Sequence, residues 1–201
     1  MVYKKRRIVS IEFSMEKQRA KGRLSRTEWV REALDVLQER GVDGVKIVVI
    51  ANRLGVTTGS FYWHFKDLPE LLDCILEFWE CELTDTVIVA GKSYSGSPED
   101  RILRLMLQVI EHDAGLYDPA IHVWARSDQK AKDVFERTLR KRFDFARWMF
   151  KQAGFSDRQA KVRGRLMVAY LMGESAADLR SKKSWRRTIK DEHAILMSNT
   201  A

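Results

Sequence analysis

Apolar side chains recur at three- and four-residue spacing through most of the chain, and this pattern predicts helices rather than strands. Residues 47–65 are the most informative stretch. There an apolar helical stripe ends at Leu54 and is followed by Gly55, a residue type that commonly ends helices. Thr57 or Thr58 then offers a hydroxyl group that can cap another helix. The pattern predicts a helix, a tight turn and a short second helix.

The predicted second helix is short and carries polar and aromatic side chains on its outer face. Phe61 and Phe65 lie four residues apart and form an inward pair. A short helix with such an outer face contributes little to a core. It suits insertion into the DNA major groove, which is the role of the second helix in a helix-turn-helix. The outward positions are Thr58, Ser60, Tyr62, Trp63 and His64.

Cap residues and glycine stops predict the remaining helices. Ser25 and Glu28 have the spacing of a capping box, and Pro98 follows a serine cap. Three prolines occur in the 201 residues, and no run alternates convincingly between apolar and polar positions. We therefore expect an all-α fold of about nine helices. The predicted ranges are 25–40, 46–54, 58–64, 67–89, 97–110, a short helix after 118, 128–153, 156–179 and 185–197.

Basic residues are concentrated in the first third of the chain. Residues 1–66 contain 14 lysines and arginines against 7 acidic residues, a net charge of +7 out of +8 for the whole chain. A basic region attracts polyanions, and its overlap with the predicted helix-turn-helix favours nucleic acid over a membrane surface. Charge alone also fits an ordinary solvated face, so the prediction depends on the motif.

From about Thr27 to Trp79 the chain resembles the DNA-binding domain of the TetR family of bacterial transcriptional regulators, of the TetR/AcrR type. A match of this length is far more specific than a bare helix-turn-helix pattern. The resemblance implies an N-terminal helix-turn-helix domain and a C-terminal helical domain for effector binding and dimerisation. The matching segments are Glu39-Arg40-Gly41, Ile50-Ala51, Leu54-Gly55-Val56, 57–65 and 66–72, with similarity to one branch of the family at 117–120 and 163–175.

The resemblance also implies roles at the DNA surface. Four positions are expected to face phosphates, namely Thr57, Tyr62, His64 and Lys66, and four to approach base edges, namely Thr58, Gly59, Ser60 and Trp63. Arg26, Thr27 and Lys46 complete the predicted DNA-binding set. Two departures from the family pattern stand out: Thr58 replaces a common lysine, and valines occupy positions 45, 48 and 49. The alternative for Tyr62 and Trp63 is packing on the fourth helix.

The predicted organisation has three parts. Residues 1–24 form a basic arm, which either contacts the DNA backbone or minor groove or is only a disordered tail. Residues 25–72 form the helix-turn-helix domain, and the fourth helix continues to about residue 90 as the linker. Small residues at 94–97 mark the boundary, so residues 95–201 are the predicted effector and dimerisation domain.

The resemblance implies an effector pocket and a dimer interface in this second domain. Apolar walls with a few polar groups are typical of such pockets, although each of these side chains also fits an ordinary core or surface role. The candidate pocket residues are Met106, Ile110, His112, Asp113, His122, Trp124, Phe145, Trp148, Met149 and Tyr170. A stripe of small residues suits close helix packing between two copies or within one subunit. The candidate interface residues are Ala169, Gly173, Ala176, Ala177, Trp185 and Ile189.

Motifs for other classes of protein were not found in the sequence. No nucleotide-binding loop, nucleophile elbow or zinc-protease motif is present, so we expect no catalytic residues and no cofactor. Cys74, Cys81 and the four histidines lack zinc-ligand spacing, so no metal site is expected. The two cysteines fit reduced thiols, and no apolar run is long enough for a bilayer, so we expect a cytoplasmic location and no membrane partner.

The sequence therefore predicts a homodimeric, sequence-specific transcriptional regulator that binds double-stranded DNA. Its expected form is a repressor that a partly apolar small-molecule effector releases from a palindromic operator. The alternatives are an activator or a ligand-independent DNA-organising member of the same family. Outside that family, a helical protein-interaction module is the remaining alternative, and it would bind DNA no better than its net charge predicts.

Overall fold

The computed structural model describes residues 24–177 and 184–198. Within these ranges the chain is entirely helical, which confirms the predicted all-α fold. Two 3₁₀ helices, Val42–Gly44 and Thr58–Trp63, and one π-helical segment, Cys81–Asp85, interrupt the α-helices. The α-helices are α1 Arg26–Arg40, α2 Ile47–Leu54, α3 Leu68–Glu80, α4 Thr86–Ser93, α5 Pro98–Glu111, α6 Asp118–Trp124, α7 Gln129–Gln152, α8 Asp157–Ala177 and α9 Trp185–Met197.

Side-chain caps fix several helix starts where the sequence predicted them. Ser25 and Glu28 form a complete capping box at α1. Asp67 caps α3, and Ser97 caps α5 through the backbone N–H of Asp100. Residues 1–23 of the predicted arm, and the predicted end of the eighth helix near residue 179, lie outside the described residues.

Two helices differ from their predicted form. Residues Thr58–Trp63 form a 3₁₀ helix, whose tighter turn follows directly on Gly55 in the left-handed conformation, φ +71°. The predicted linker helix is divided by the π segment Cys81–Asp85 and continues to Ser93. Both the backbone N–H and the hydroxyl of Thr86 bond to the carbonyl of Cys81, five residues earlier, and these bonds close the wide turn.

The buried side chains form two cores. The first core joins α1 to α3 with α6 and the beginning of α7, where Trp79 stacks on Phe135 with ring centroids 5.9 Å apart. The second core joins α5, the rest of α7, α8 and α9 around Met106 and Phe150. α6 therefore packs with the helices of the first third, although the sequence suggested a boundary before it. Within the described ranges, no helix is long and apolar enough to span a bilayer.

Candidate nucleic-acid interface

A buried aromatic cluster anchors the 3₁₀ helix Thr58–Trp63, which we call the recognition segment. Phe61 is fully buried and meets the edge of the Trp29 ring on α1, with centroids 5.5 Å apart and planes at 74°. It also stacks on Phe65 at 5.2 Å. Because Trp29 of α1 and Phe65, which follows the segment, both pack on Phe61, the aromatic cluster sets the position of the outward side chains.

The outward face of the recognition segment combines aromatic rings with hydroxyl and amino groups. Tyr62 is 63% exposed and Trp63 is 74% exposed. Of the other predicted DNA-binding residues, Thr57, Thr58, Gly59 and Lys66 are exposed, and Ser60 and His64 are half-buried. The structure therefore gathers these eight predicted residues on one short stretch. An exposed indole has an apolar face for a thymine methyl, while hydroxyl and ammonium groups donate to phosphate oxygens.

Arg26 ties α1 to the recognition segment and to α3. Its guanidinium donates to the backbone carbonyl of His64 at 2.5 Å and to the Glu70 carboxylate at 2.6 Å. The same group lies over the Phe65 ring, 4.4 Å from its centroid. The hydrogen bond to Glu70 raises the pKa of Arg26 above its ordinary value. These contacts position the C-terminal end of the recognition segment.

Arg53 connects α2 to α1 in a similar way. Its guanidinium bonds to Glu32 at 2.6 Å and to both oxygens of Glu39, at 2.6 and 3.0 Å. The hydrogen bonds from Arg53 hold the pKa of the Glu39 carboxyl below its ordinary value. Local sequence patterns did not reveal this contact, since the paired residues are 14 and 21 positions apart.

Thr27 and Lys46 lie near two helix starts. Thr27 is half-buried in the first turn of α1, and Lys46 is exposed at the N-cap of α2. No side chain among the described residues caps the start of α2. Its first N–H groups are therefore available for an acceptor such as a phosphate oxygen. Val48, in the same turn, is 51% exposed.

A cavity that is partly open to solvent lies in the second half of the molecule, and the free space in it, including the open part, is about 560 Å³. It is bounded by the π segment, α4, α5, α7 and α8, and by residues that precede α6. Its walls are apolar except for Thr84, Asp118 and Arg142, three polar residues that were not among the predicted pocket residues. The other lining residues are Leu83, Val87, Ile88, Leu105, Val109, Ala114, Gly115, Phe145, Ala146, Met167, Val168, Leu171 and Met172.

Most of the predicted pocket residues lie outside the walls of this cavity. Phe145 lines the cavity, and Trp148 stacks on it from outside at 5.8 Å. Met106, Ile110 and Met149 are buried in the second core, and Trp124 is buried in the first. His122 is exposed and stacks on Phe135 at 4.9 Å. His112, Asp113 and Tyr170 are half-buried outside the cavity walls. Apolar spacing alone could not separate cavity walls from core.

The polar residues of the cavity form one buried cluster. Asp118 is 2% exposed and accepts a hydrogen bond from the Trp79 indole at 2.8 Å. Arg142 donates to both oxygens of Asp118, at 2.5 and 3.1 Å, and to the Thr84 hydroxyl at 2.9 and 3.1 Å. The residue before Asp118 reaches the first third as well, since the Tyr117 hydroxyl donates to Asp35 on α1 at 2.8 Å.

The predicted interface residues divide into two groups. Ala169, Gly173, Ala176 and Ala177 are exposed on α8. They continue an exposed apolar stripe that begins with Val162 and Leu166, which are 52% and 58% exposed. On α9, Trp185 is half-buried, whereas Ile189 is buried within the second core of the same chain. Packing inside the chain therefore accounts for Ile189.

Comparison with known proteins shows a family match within the N-terminal part of the chain. Residues 30–73 match the family described as "Bacterial regulatory proteins, tetR family". The tetracycline repressor protein class D of Escherichia coli is 28% identical over 119 residues, which is 59% of this chain and 53% of that protein. The match thus spans about half the length of this curated relative.

Solved structures extend the likeness to the whole fold. A transcriptional regulator from Rhodococcus sp. Rha1 aligns with a TM-score of 0.66 at 19% identity, over 87% of this chain and 94% of that one. AibR, solved in complex with isovaleryl coenzyme A and operator DNA, also aligns with a TM-score of 0.66, at 16% identity over 86% of this chain and 97% of that one. At these identities the alignments establish a shared fold.

Proposed function

We propose that this chain, whose residues 30–73 form a domain of the bacterial TetR family, is a sequence-specific DNA-binding transcriptional regulator. The observation that carries the proposal is the recognition segment, in which buried Phe61 supports the exposed Tyr62 and Trp63. Large aromatic rings are usually buried in a protein, and neighbouring exposed rings indicate a surface that a binding partner covers. The basic first third of the chain suits the phosphate backbone of that partner.

The regulator is proposed to act as a homodimer. The exposed stripe Val162, Leu166, Ala169, Gly173 and Ala176 runs along one face of α8 at alternating spacings of four and three residues. Nothing lies within 4 Å of a side-chain carbon built at Gly173, so another helix can approach closely there. Two copies related by a twofold axis would present two recognition segments to a palindromic operator. Measurement of the mass in solution at micromolar concentration tests this step, and a strict monomer would refute it.

The proposed regulation is repression that a small molecule relieves. The cavity includes Leu83 and Thr84 of the π segment, which directly continues α3. α3 packs against α1 and the recognition segment through the first core, so a change at the π segment can alter the placement of both. A ligand releases DNA only if it binds the DNA-free state more tightly than the DNA-bound state. The relatives named as tetracycline repressors support repression, and AibR, solved with isovaleryl coenzyme A and operator DNA, supports a role for a small molecule.

Selection of preferred sequences from a random DNA duplex pool tests the function. We expect enrichment of a palindrome by the unaltered protein, and its loss or alteration with Trp63→Ala and with Ser60→Ala. Val123→Ala is a suitable control because Val123 is 63% exposed on α6, outside the recognition segment. Binding without enrichment, which only weakens as salt is raised, would overturn specific recognition and leave electrostatic attraction.

The sign of regulation needs a separate measurement. With the selected palindrome placed between a promoter and a reporter gene, we expect the protein to lower expression. Increased expression would identify an activator, and an effect that no ligand changes would favour a DNA-organising role.

A further inference from the structure

The polar cluster in the cavity wall is electrically balanced and nearly saturated with hydrogen bonds. The carboxylate of Asp118 and the guanidinium of Arg142 form an ion pair with a closest distance of 2.5 Å. Asp118 also accepts from Trp79, and Arg142 also donates to Thr84. The pair therefore carries one positive and one negative charge in a wall that is otherwise apolar.

Two donors of this cluster have no acceptor among the described residues, namely one N–H of Arg142 and the hydroxyl proton of Thr84, whose oxygen only accepts. A guanidinium has five N–H groups. Four of those on Arg142 are occupied, because Nη1 donates once to Asp118, Nη2 donates to Asp118 and Thr84, and Nε donates to Thr84. The second N–H of Nη1 has no acceptor in the described part of the chain. A ligand in the cavity can supply that acceptor.

The balanced charges of Asp118 and Arg142 determine which kind of hydrogen-bond acceptor on a ligand fits the cavity. A carboxylate placed beside a guanidinium that Asp118 already neutralises would bring an unbalanced negative charge into an apolar site, and an amine would bring a positive one. Burial of an unbalanced charge is strongly unfavourable. A carbonyl oxygen accepts the free N–H without adding charge, and the apolar walls take up the remainder of the molecule.

We propose that the cavity binds an uncharged, largely apolar ligand whose carbonyl oxygen accepts a hydrogen bond from Arg142. The proposal rests on the proposed function in so far as this ligand is the effector. It names a class of ligand and excludes fatty acids and aliphatic amines. The acceptor position is connected to the DNA-binding half, because Arg142 and Asp118 hold Thr84 of the π segment and Trp79 of α3.

Calorimetric titration of the full chain with three probes of equal chain length tests the ligand class. The probes are 2-octanone, octanoate and octylamine at neutral pH. We expect 2-octanone to bind at least about tenfold more tightly than either charged probe, because only the charged probes leave a buried charge unbalanced. Tighter binding of octanoate or octylamine would overturn the proposal. Failure of 2-octanone and of its six- and ten-carbon homologues to bind would also overturn it.

The variant Asp118→Asn is expected to reverse the preference of the cavity for the uncharged probe over octanoate. It keeps an oxygen acceptor for the Trp79 indole but removes the negative charge, so Arg142 is left uncompensated. We expect this variant to prefer octanoate over 2-octanone by at least about tenfold. Asp133→Asn, on the exposed face of α7, is the matched control and should keep the original preference. An unchanged preference in folded Asp118→Asn would contradict the proposal.

The two proposals can fail separately. If Asp118→Asn does not fold, as circular dichroism would show, the comparison of the three probes on the unaltered protein still decides the ligand class. A selected palindrome together with tighter binding of octanoate would refute only the inference about the ligand. Tight binding of 2-octanone without any selected palindrome would refute only the proposed function.

Discussion

The two halves of the molecule place their ion pairs differently. Near the recognition segment, Arg26 and Arg53 form ion pairs through side chains that are 46% and 26% exposed, and although Arg53 also bonds to the buried Glu32, its other partner, Glu39, is 50% exposed. At the cavity, Asp118 is 2% exposed and its pair with Arg142 lies beside empty volume. An ion pair between exposed side chains adds little to the stability of the fold. In a buried pair, by contrast, removal of one partner leaves the other as an uncompensated charge and is strongly destabilising.

This difference indicates which half can respond to a ligand. The packing around Phe61 is aromatic, and the Arg26 guanidinium over the Phe65 ring is already paired with Glu70, so this cluster offers no buried charge pair beside a cavity. The Asp118 and Arg142 pair is sensitive to any polar group that enters the cavity, and it is bonded to Trp79 of α3 and to Thr84 of the π segment. If the proposed function holds, we expect the cavity wall to adjust to a ligand and the helices around the recognition segment to move as a body.

The largest expected effect tests the buried pair itself. Arg142→Met leaves Asp118 buried without its charge partner, and we expect a loss of about 3–5 kcal/mol in the free energy of unfolding, measured in urea at pH 7. The double variant Asp118→Asn with Arg142→Met removes both charges, keeps an oxygen acceptor for the Trp79 indole, and should recover most of that loss. Equal losses in the single and double variants would mean that the pair itself is not the source of the stability.

The same contrast explains how much could be predicted from the sequence. Local signals located the helix starts, because Ser25, Asp67 and Ser97 act within three residues of their own position. The inward pair Phe61 and Phe65 was likewise readable from its spacing, and the structure buries both. The recognition segment was therefore predicted in position, although its 3₁₀ geometry was not.

The cavity could not be predicted in the same way. Asp118, Arg142 and Thr84 meet across 24 to 58 positions of sequence, and no local spacing pattern connects them. Apolar positions such as Met106 have the same spacing whether they face a cavity or a filled core. The π segment also rotates the face that α4 presents relative to α3, and periodicity gave no sign of it.

The next prediction compares the two cores with matched substitutions. Phe61→Leu and Phe150→Leu each remove part of a fully buried ring, and we expect each to lower the free energy of unfolding by about 2 kcal/mol. Only Phe61→Leu should weaken operator binding, because Phe61 supports the recognition segment. Gel-shift titration of the selected palindrome would check this. Equal weakening by Phe150→Leu would contradict the separation of the two halves.

A smaller effect on stability is expected at the ion pairs between α3 and α7. Glu80 accepts from Arg137 at 2.5 and 2.8 Å, and those hydrogen bonds lower the pKa of its carboxyl below the ordinary value of about 4.5. Its stabilising contribution is therefore complete above about pH 4.5 and is lost as the pH falls through the lowered pKa. We expect Glu80→Gln to lose about 1 kcal/mol at pH 7 in urea unfolding.

The pH series supplies the control for Glu80. The difference in unfolding free energy between Glu80→Gln and the unaltered protein should shrink as the pH is lowered below 4.5. A difference that stays constant down to pH 3 would show that packing, rather than the charge of Glu80, is responsible.

The smallest expected effect on stability concerns Arg26. Arg26→Met should lower the free energy of unfolding by about 0.5 kcal/mol, as is usual for exposed pairs. Because its guanidinium is bonded to His64 and Glu70, we expect weaker operator binding with an unchanged salt dependence. Lys66→Met, at an exposed side chain predicted to meet phosphate, should instead reduce the salt slope by about 1. A reduced slope for Arg26→Met would assign it a direct phosphate contact.

Gly91 on α4 leaves room for the Phe145 ring, so one substitution at this position can change the size of the cavity. A side-chain carbon added there would lie 2.7 Å from the end of the Phe145 ring, which lines the cavity. Gly91→Ala therefore has to displace the Phe145 ring. If the proposed function holds, position 91 would tune, through Phe145, the size of the molecule that a biosensor built on this scaffold detects, without changing the recognition segment.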